Sequence, residues 1–135
     1  MAKDIWINLP VTDLQKATIF YEAIGFQLNK QAPKSDTMSS FIVGSNQLIV
    51  NFFTNQLIES FGQNKVSDTS KGTEVLFSLG ADSEVEVDEM LLKAKHAGAT
   101  IYANGGYKDG WMYGGGFVDL DGHRWNVLYM DFSKL

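Results

Sequence analysis

One pattern of strand and helix signals occurs twice in this chain. Ile5, Ile7, Leu9 and Val11 alternate with Trp6, Asn8, Pro10 and Thr12, the period-2 signature of a strand with two unlike faces. Thr12 or Asp13 then offers a helix N-cap, Leu14, Ala17, Phe20, Tyr21 and Ile24 follow at helical spacing, and Gly25 supplies a stop. Phe26 to Lys30 reads as a short strand and Gln31 to Thr37 as a loop. Met38 to Val43 and Leu48 to Phe53 form a hairpin around Gly44-Ser45-Asn46. The order then recurs. Glu74 to Leu79 is a strand in which Val75, Phe77 and Leu79 alternate with Glu74, Leu76 and Ser78. Ser83 opens a helix with Glu84 and Glu86 early and Lys93, Lys95 and His96 late, a polarity that suits the helix dipole. Val87, Met90, Leu91 and Ala94 give it an apolar stripe and Gly98 ends it. Ala99 to Ala103 is a strand, Gly105 to Gly116 a glycine-rich loop, and Phe117–Leu120 with Arg124–Met130 a hairpin around Asp121-Gly122.

The repeat has a period of about 70 residues, and such self-similarity governs the fold before any other reading. It predicts an α+β chain of two tandem βαβββ modules, residues 3–53 and 73–131, joined by a linker at 54–72 in which Asn55 to Gly62 can form a short helix. Each module lays one helix on one face of a small sheet, the Ile5/Ile7/Leu9 face in one and the Val75/Phe77/Leu79 face in the other. The opposite faces stay uncovered, and two such faces curled about a shared cleft would make a ligand site.

Composition narrows the partners. The chain of 135 residues carries 16 acidic and 11 basic side chains, a net charge of -5, which argues against nucleic acid and against an anionic membrane surface. It has no cysteine, so thiolate metal sites, disulfides and a cysteine nucleophile are excluded together. No apolar run approaches a membrane span and the opening residues carry no apolar leader core, so the expected setting is the cytoplasm.

The stretch Asn8-Leu9-Pro10-Val11-Thr12-Asp13-Leu14 followed by Phe20-Tyr21-Glu22-Ala23-Ile24-Gly25-Phe26 resembles the opening of the vicinal oxygen chelate superfamily, which includes glyoxalase I, bleomycin and fosfomycin resistance proteins and extradiol dioxygenases. Met112-Tyr113-Gly114 and Phe117-Val118-Asp119-Leu120-Asp121-Gly122-His123-Arg124-Trp125 resemble its closing hairpin. The resemblance implies a sheet curved around a cleft, and a homodimer. In the superfamily's metal enzymes the ligands stand on the first and last strands of each module. Carried over by motif, those positions fall on Trp6, Asn51, Glu74 and Asn126. Divalent transition metals want imidazole or carboxylate there, a tryptophan indole cannot coordinate, and only Glu74 is a plausible ligand.

The residues therefore favour a protein without cofactor that binds a small planar or cationic compound. Trp6, Asn8, Asn51, Glu74, Ser78, Trp111, Tyr113 and Asn126 are its expected lining, with Trp111 and Tyr113 on a flap. Glu74 would face a cation or act as a base. The alternative is a divalent-metal lyase, isomerase or dioxygenase of the glyoxalase type with an atypical site. The glycine-rich stretch contains no phosphate-binding motif. His96 and His123 read as structural, His96 at a helix end and His123 in a turn.

Overall fold

The computed structural model describes all of residues 1–135. The chain divides into two compact units, Met1–Asp68 and Thr69–Leu135. No helix is long and apolar enough to cross a membrane.

In the first unit, β1 (Trp6–Val11), α1 (Leu14–Ala23), β2 (Gln27–Leu28), β3 (Met38–Val43), β4 (Leu48–Thr54) and α2 (Asn55–Gly62) follow in order. The strands make a mixed sheet in the order β1-β4-β3-β2, with β1 parallel to β4 and the other pairs antiparallel. Asp13 caps α1 by accepting the Lys16 N–H at 3.0 Å. The helix stops where Gly25 takes φ +100°: Gly25 N–H bonds Glu22 O, and Phe26 N–H bonds Tyr21 O. That pair of bonds is the Schellman closure, and it needs a residue at ease in the left-handed region. The helix buries Ala17, Phe20 and Tyr21 against Val50, Phe52 and Phe41. Tyr21 stacks on Phe52 at 4.2 Å, and Phe20, Phe26 and Phe41 complete an aromatic core.

The second unit repeats the arrangement. It holds β5 (Leu76–Gly80), α3 (Glu84–His96), β6 (Thr100–Lys108), β7 (Met112–Val118), β8 (Arg124–Met130) and a closing 3₁₀ turn (Phe132–Lys134). The sheet order is β5-β8-β7-β6, again with one parallel pair, β5 with β8. Ser83 caps α3, and the same closure ends it: Gly98, at φ +111°, donates to Lys95 O and Ala99 donates to Ala94 O. Val87, Leu91 and Ala94 bury that helix against its sheet, where Phe77 packs on Trp125 at 4.8 Å.

Three sequence expectations change. The strand expected over Phe26 to Lys30 shortens to Gln27–Leu28, after which Asn29 bonds back to Ser40 O and the chain turns away. The strand expected from Glu74 begins at Leu76, because its ladder with β8 starts at Leu76↔Arg124. Before that point the chain passes over the Asp121-Gly122 turn, with Thr69 donating to Asp121 O at 2.8 Å. Most of all, Gly105 to Gly116 is not a loop. It lies within two paired strands, β6 and β7, whose turn comes at Asp109 and Gly110, both at positive φ.

The glycines of β7 are there for space. A Cβ on Gly115 would stand 2.6 Å from Leu91 Cδ1 and from Ala103 O. One on Gly114 would meet Leu128 at 2.3 Å, and one on Gly116 would meet the Tyr102 ring at 2.2 Å. The strand yields its side-chain volume to its neighbours, a role glycine has where another group approaches a strand closely.

Candidate ligand-binding site

Each sheet has one face covered by its long helix and one face left free by it. In the first unit β1 carries Trp6 and Asn8 on the free face, beside Ile49 and Asn51 of β4. Asn51 Nδ2 donates to Asn8 Oδ1 at 3.0 Å, a cross-strand amide pair in register. Trp6 is 63% exposed. Farther along β4, Phe53 meets Phe61 of α2 edge-on at 5.2 Å, which closes that end of the face. Trp6, Asn8 and Asn51 are thus brought together, as the alternation predicts.

In the second unit Ser78 of β5 stands opposite Asn126 of β8, matching Asn8 opposite Asn51. On the same face Leu128 and Met130 continue β8 and Arg124 precedes Asn126, because alternate residues of a strand share a face. Ser78, Gly80, Leu128, Met130 and Phe132 line a pocket of about 340 Å³, together with Leu79 and Ala81. Trp111, at the end of the β6–β7 turn, packs on Phe132 at 5.8 Å and holds the turn after β8 through its carbonyl, which accepts the Asp131 N–H at 2.7 Å.

Two expected lining residues stand elsewhere. Glu74 sits on an exposed bend ahead of β5, without the buried surroundings a base requires. Tyr113 pairs with Tyr129 and so shares the face of Trp125 and Val127, the one that α3 covers. Its hydroxyl donates to Asp88 of α3 at 2.8 Å, and its ring meets Tyr107 at 5.1 Å. The hydrogen bond to the Asp88 carboxylate, helped by partial desolvation and by the charges of Asp88 and Glu84, raises the Tyr113 pKa above the usual phenol value.

Two residues that motif reasoning passed over complete the face. The guanidinium of Arg124, the one arginine of the chain, lies 5.0 Å from the Tyr102 ring centroid. Tyr102 in turn donates its hydroxyl to Asn126 Oδ1. It reaches that far only because Gly116 leaves room for the ring. Burial raises the Tyr102 pKa, against the opposing pull of Arg124. Counting back by two from Asn126 would have found Arg124; Tyr102 gives no such signal, since bulges in β6 break the period.

The four positions implied by the family's metal enzymes do not fit a divalent transition metal. Trp6 has no lone pair to give, Asn51 and Asn126 offer only neutral amide oxygens, the second already accepting from Tyr102, and Glu74 stands outside its strand. No group of three or more His, Asp or Glu side chains forms a cluster able to hold a metal ion. A larger hollow of about 500 Å³ lies in the first unit under the 29–37 loop. Several of its polar groups are already paired with one another, Thr18 with Ser39 and Asn29 with Ser40.

The profile of the Glyoxalase/Bleomycin resistance protein/Dioxygenase superfamily matches residues 5–127. Among solved structures, the hypothetical protein SA1046 of S. aureus is 34% identical, with a TM-score of 0.84 over 96% of this chain and 95% of that one. A glyoxalase-related enzyme from Fulvimarina pelagi superposes with a TM-score of 0.80 at 17% identity, covering 95% of this chain and 88% of its own. The genomically encoded fosfomycin resistance protein FosX of Listeria monocytogenes gives 0.70 at 18% identity, covering 99% and 96%. These last two, at such identity, share the fold alone. No curated protein sequence matches the chain. With its matched profile spanning both repeats, the chain belongs to the glyoxalase/bleomycin resistance protein/dioxygenase superfamily.

Proposed function

We propose that this protein binds a small planar compound on the free face of its second unit, without a metal. The observation that carries this reading is the pocket of about 340 Å³ formed by Leu128, Met130 and Phe132 with Ser78 at its polar end. A largely apolar concavity with a few placed polar groups is what small-molecule sites consist of. Trp111 backs Phe132 and fixes its ring as a stacking surface. The donor chemistry of Trp6, Asn51, Glu74 and Asn126 weighs against the metal-dependent lyase or dioxygenase alternative. Glu74 on its exposed bend likewise weighs against a cationic ligand.

Calorimetric titration of chelator-treated protein with 2-naphthamide, a neutral planar probe, tests the reading. Binding should occur without added metal, and Phe132→Ala should weaken it by about 1–3 kcal/mol, the range for losing one aromatic stacking partner. Unchanged affinity in that variant, or binding that requires nickel, zinc, manganese or ferrous iron, would refute it.

The proposal includes a homodimer. Its support is that β1 and β5 are sheet-edge strands, each preceded by an exposed apolar residue, Ile5 at 72% and Val75 at 51%. Unpaired edges of this kind favour further pairing. Light scattering that returned the single-chain mass of 15.0 kDa would overturn it.

A further inference from the structure

The free face of the second unit carries a charge that the planar-compound reading does not use. Arg124 is half-buried on β8, between Leu76 of β5 and Val118 of β7. Both cross-strand neighbours are apolar, and Arg124 takes part in no ion pair. A partly desolvated guanidinium without a carboxylate is costly to keep, since buried charges are ordinarily paired.

What surrounds it is organised. The guanidinium lies over the Tyr102 ring at 5.0 Å, and a guanidinium held against a ring face can still make two parallel N–H bonds to a planar anion. The Tyr102 hydroxyl occupies Asn126 Oδ1, which fixes the amide and leaves Nδ2 as an unpaired donor. Opposite Asn126, the Ser78 hydroxyl makes no hydrogen bond. Guanidinium, amide Nδ2 and hydroxyl can therefore all donate toward the same face. Gly116 underlies the arrangement, because any larger residue would push Tyr102 off both partners.

We propose that Arg124, Asn126 and Ser78 read a carboxylate on the bound compound, so that the site takes a flat organic acid. This rests on the pocket described above as the seat of the compound's apolar body. Alternate residues along a strand are roughly 7 Å apart, so a carboxylate held near Asn126 places one or two fused rings over Leu128 and toward Phe132. With a net charge of -5, the protein gives an anion no general attraction, and a local cation has to supply it.

The experiment compares 2-naphthoate, 2-naphthamide and 2-naphthylmethylammonium by calorimetry on the full-length protein and on Arg124→Gln. Each comparison is a ratio within one protein sample, so partial unfolding of a variant cancels. Wild type should bind naphthoate at least tenfold more tightly than naphthamide, and the ammonium most weakly. Arg124→Gln should bring the naphthoate-to-naphthamide ratio near one, with the larger loss falling on naphthoate, and Arg124→Lys should restore only part of the preference. Binding of naphthamide with no preference for naphthoate would overturn the acid proposal and leave the planar-compound reading standing. So would a preference that survives Arg124→Gln. Failure of wild type to bind either probe would overturn both.

Discussion

Replacing Gly116 by alanine tests the geometry of the candidate site without replacing any of its polar side chains. The new Cβ would lie 2.2 Å from Tyr102 Cζ and 2.3 Å from its hydroxyl oxygen. No Cβ is tolerated so close, and the colliding atoms are the far end of a side chain that is 38% exposed. Tyr102 therefore swings outward while β7 stays in place. The loss is then the Tyr102–Asn126 hydrogen bond, about 0.5–1.5 kcal/mol. To it is added the Arg124–Tyr102 stacking, about 0.5–1 kcal/mol at a site this open. Together they predict a destabilisation of about 1–2.5 kcal/mol, read as a lower urea midpoint at constant slope. The double-mutant cycle with Tyr102→Ala decides the cause. In the alanine-102 background the Gly116→Ala cost should fall to a few tenths of a kcal/mol, because the clash partner is gone. An equal cost in both backgrounds would refute the account and place the strain in the β7 backbone.

The pH dependence of stability has two limbs that follow from named groups. Tyr113 holds its proton more tightly when folded, owing first to its hydrogen bond to Asp88, so its contribution is complete below about pH 10 and is lost as pH rises through the raised folded value. Tyr113→Phe should make the alkaline decline in urea midpoint shallower, and an unchanged alkaline limb would remove Tyr113 as its source. Asp131 behaves oppositely: the Ser133 hydroxyl at 2.5 Å, then its N–H and Lys134, lower its pKa. Its contribution is present above the ordinary carboxylate range and is lost as pH falls through the lowered folded value. Asp131→Asn should flatten that acid limb.

Much of the fold could be read from short-range chemistry. Asp13 and Ser83 cap the two long helices, and Gly25 and Gly98 close them, through bonds that span only three to five residues. The repeat was visible for the same reason, since both copies use the same local signals. The glycines of β7 misled because glycine usually marks a loop when read alone, whereas here Leu91, Leu128 and Tyr102 fill its place from other elements. Glu74 was placed in a strand by its alternation with Val75. The ladder partner it lacks depends on where the Asp121-Gly122 turn falls, which is a long-range fact. At the site, the Asn8–Asn51 and Ser78–Asn126 pairs follow from the period-2 pattern and the repeat. Arg124 follows from the same counting, two residues before Asn126 on one face of β8. Tyr113, expected on a flap, stands instead on a paired strand against α3, a placement that depends on the β6–β7 and β7–β8 ladders and not on local signals.

The parallel pairs of the two sheets bear on the order in which the protein folds. Hairpins β3–β4, β6–β7 and β7–β8 join strands that are neighbours in sequence, so closing them costs little chain entropy. The β1–β4 pair instead brings together Asn8 and Asn51, 43 residues apart, and β5–β8 closes a loop of similar length. Such non-local contacts form late, and edge strands open first under native conditions. Ser78 and Asn8 both sit on these late, outer strands. Each polar pair is therefore assembled at the last step of folding and is the first to loosen. A bound ligand that bridged Ser78 to Asn126 would act as a clasp across β5 and β8, slowing amide exchange in β5 well before it raised the global stability.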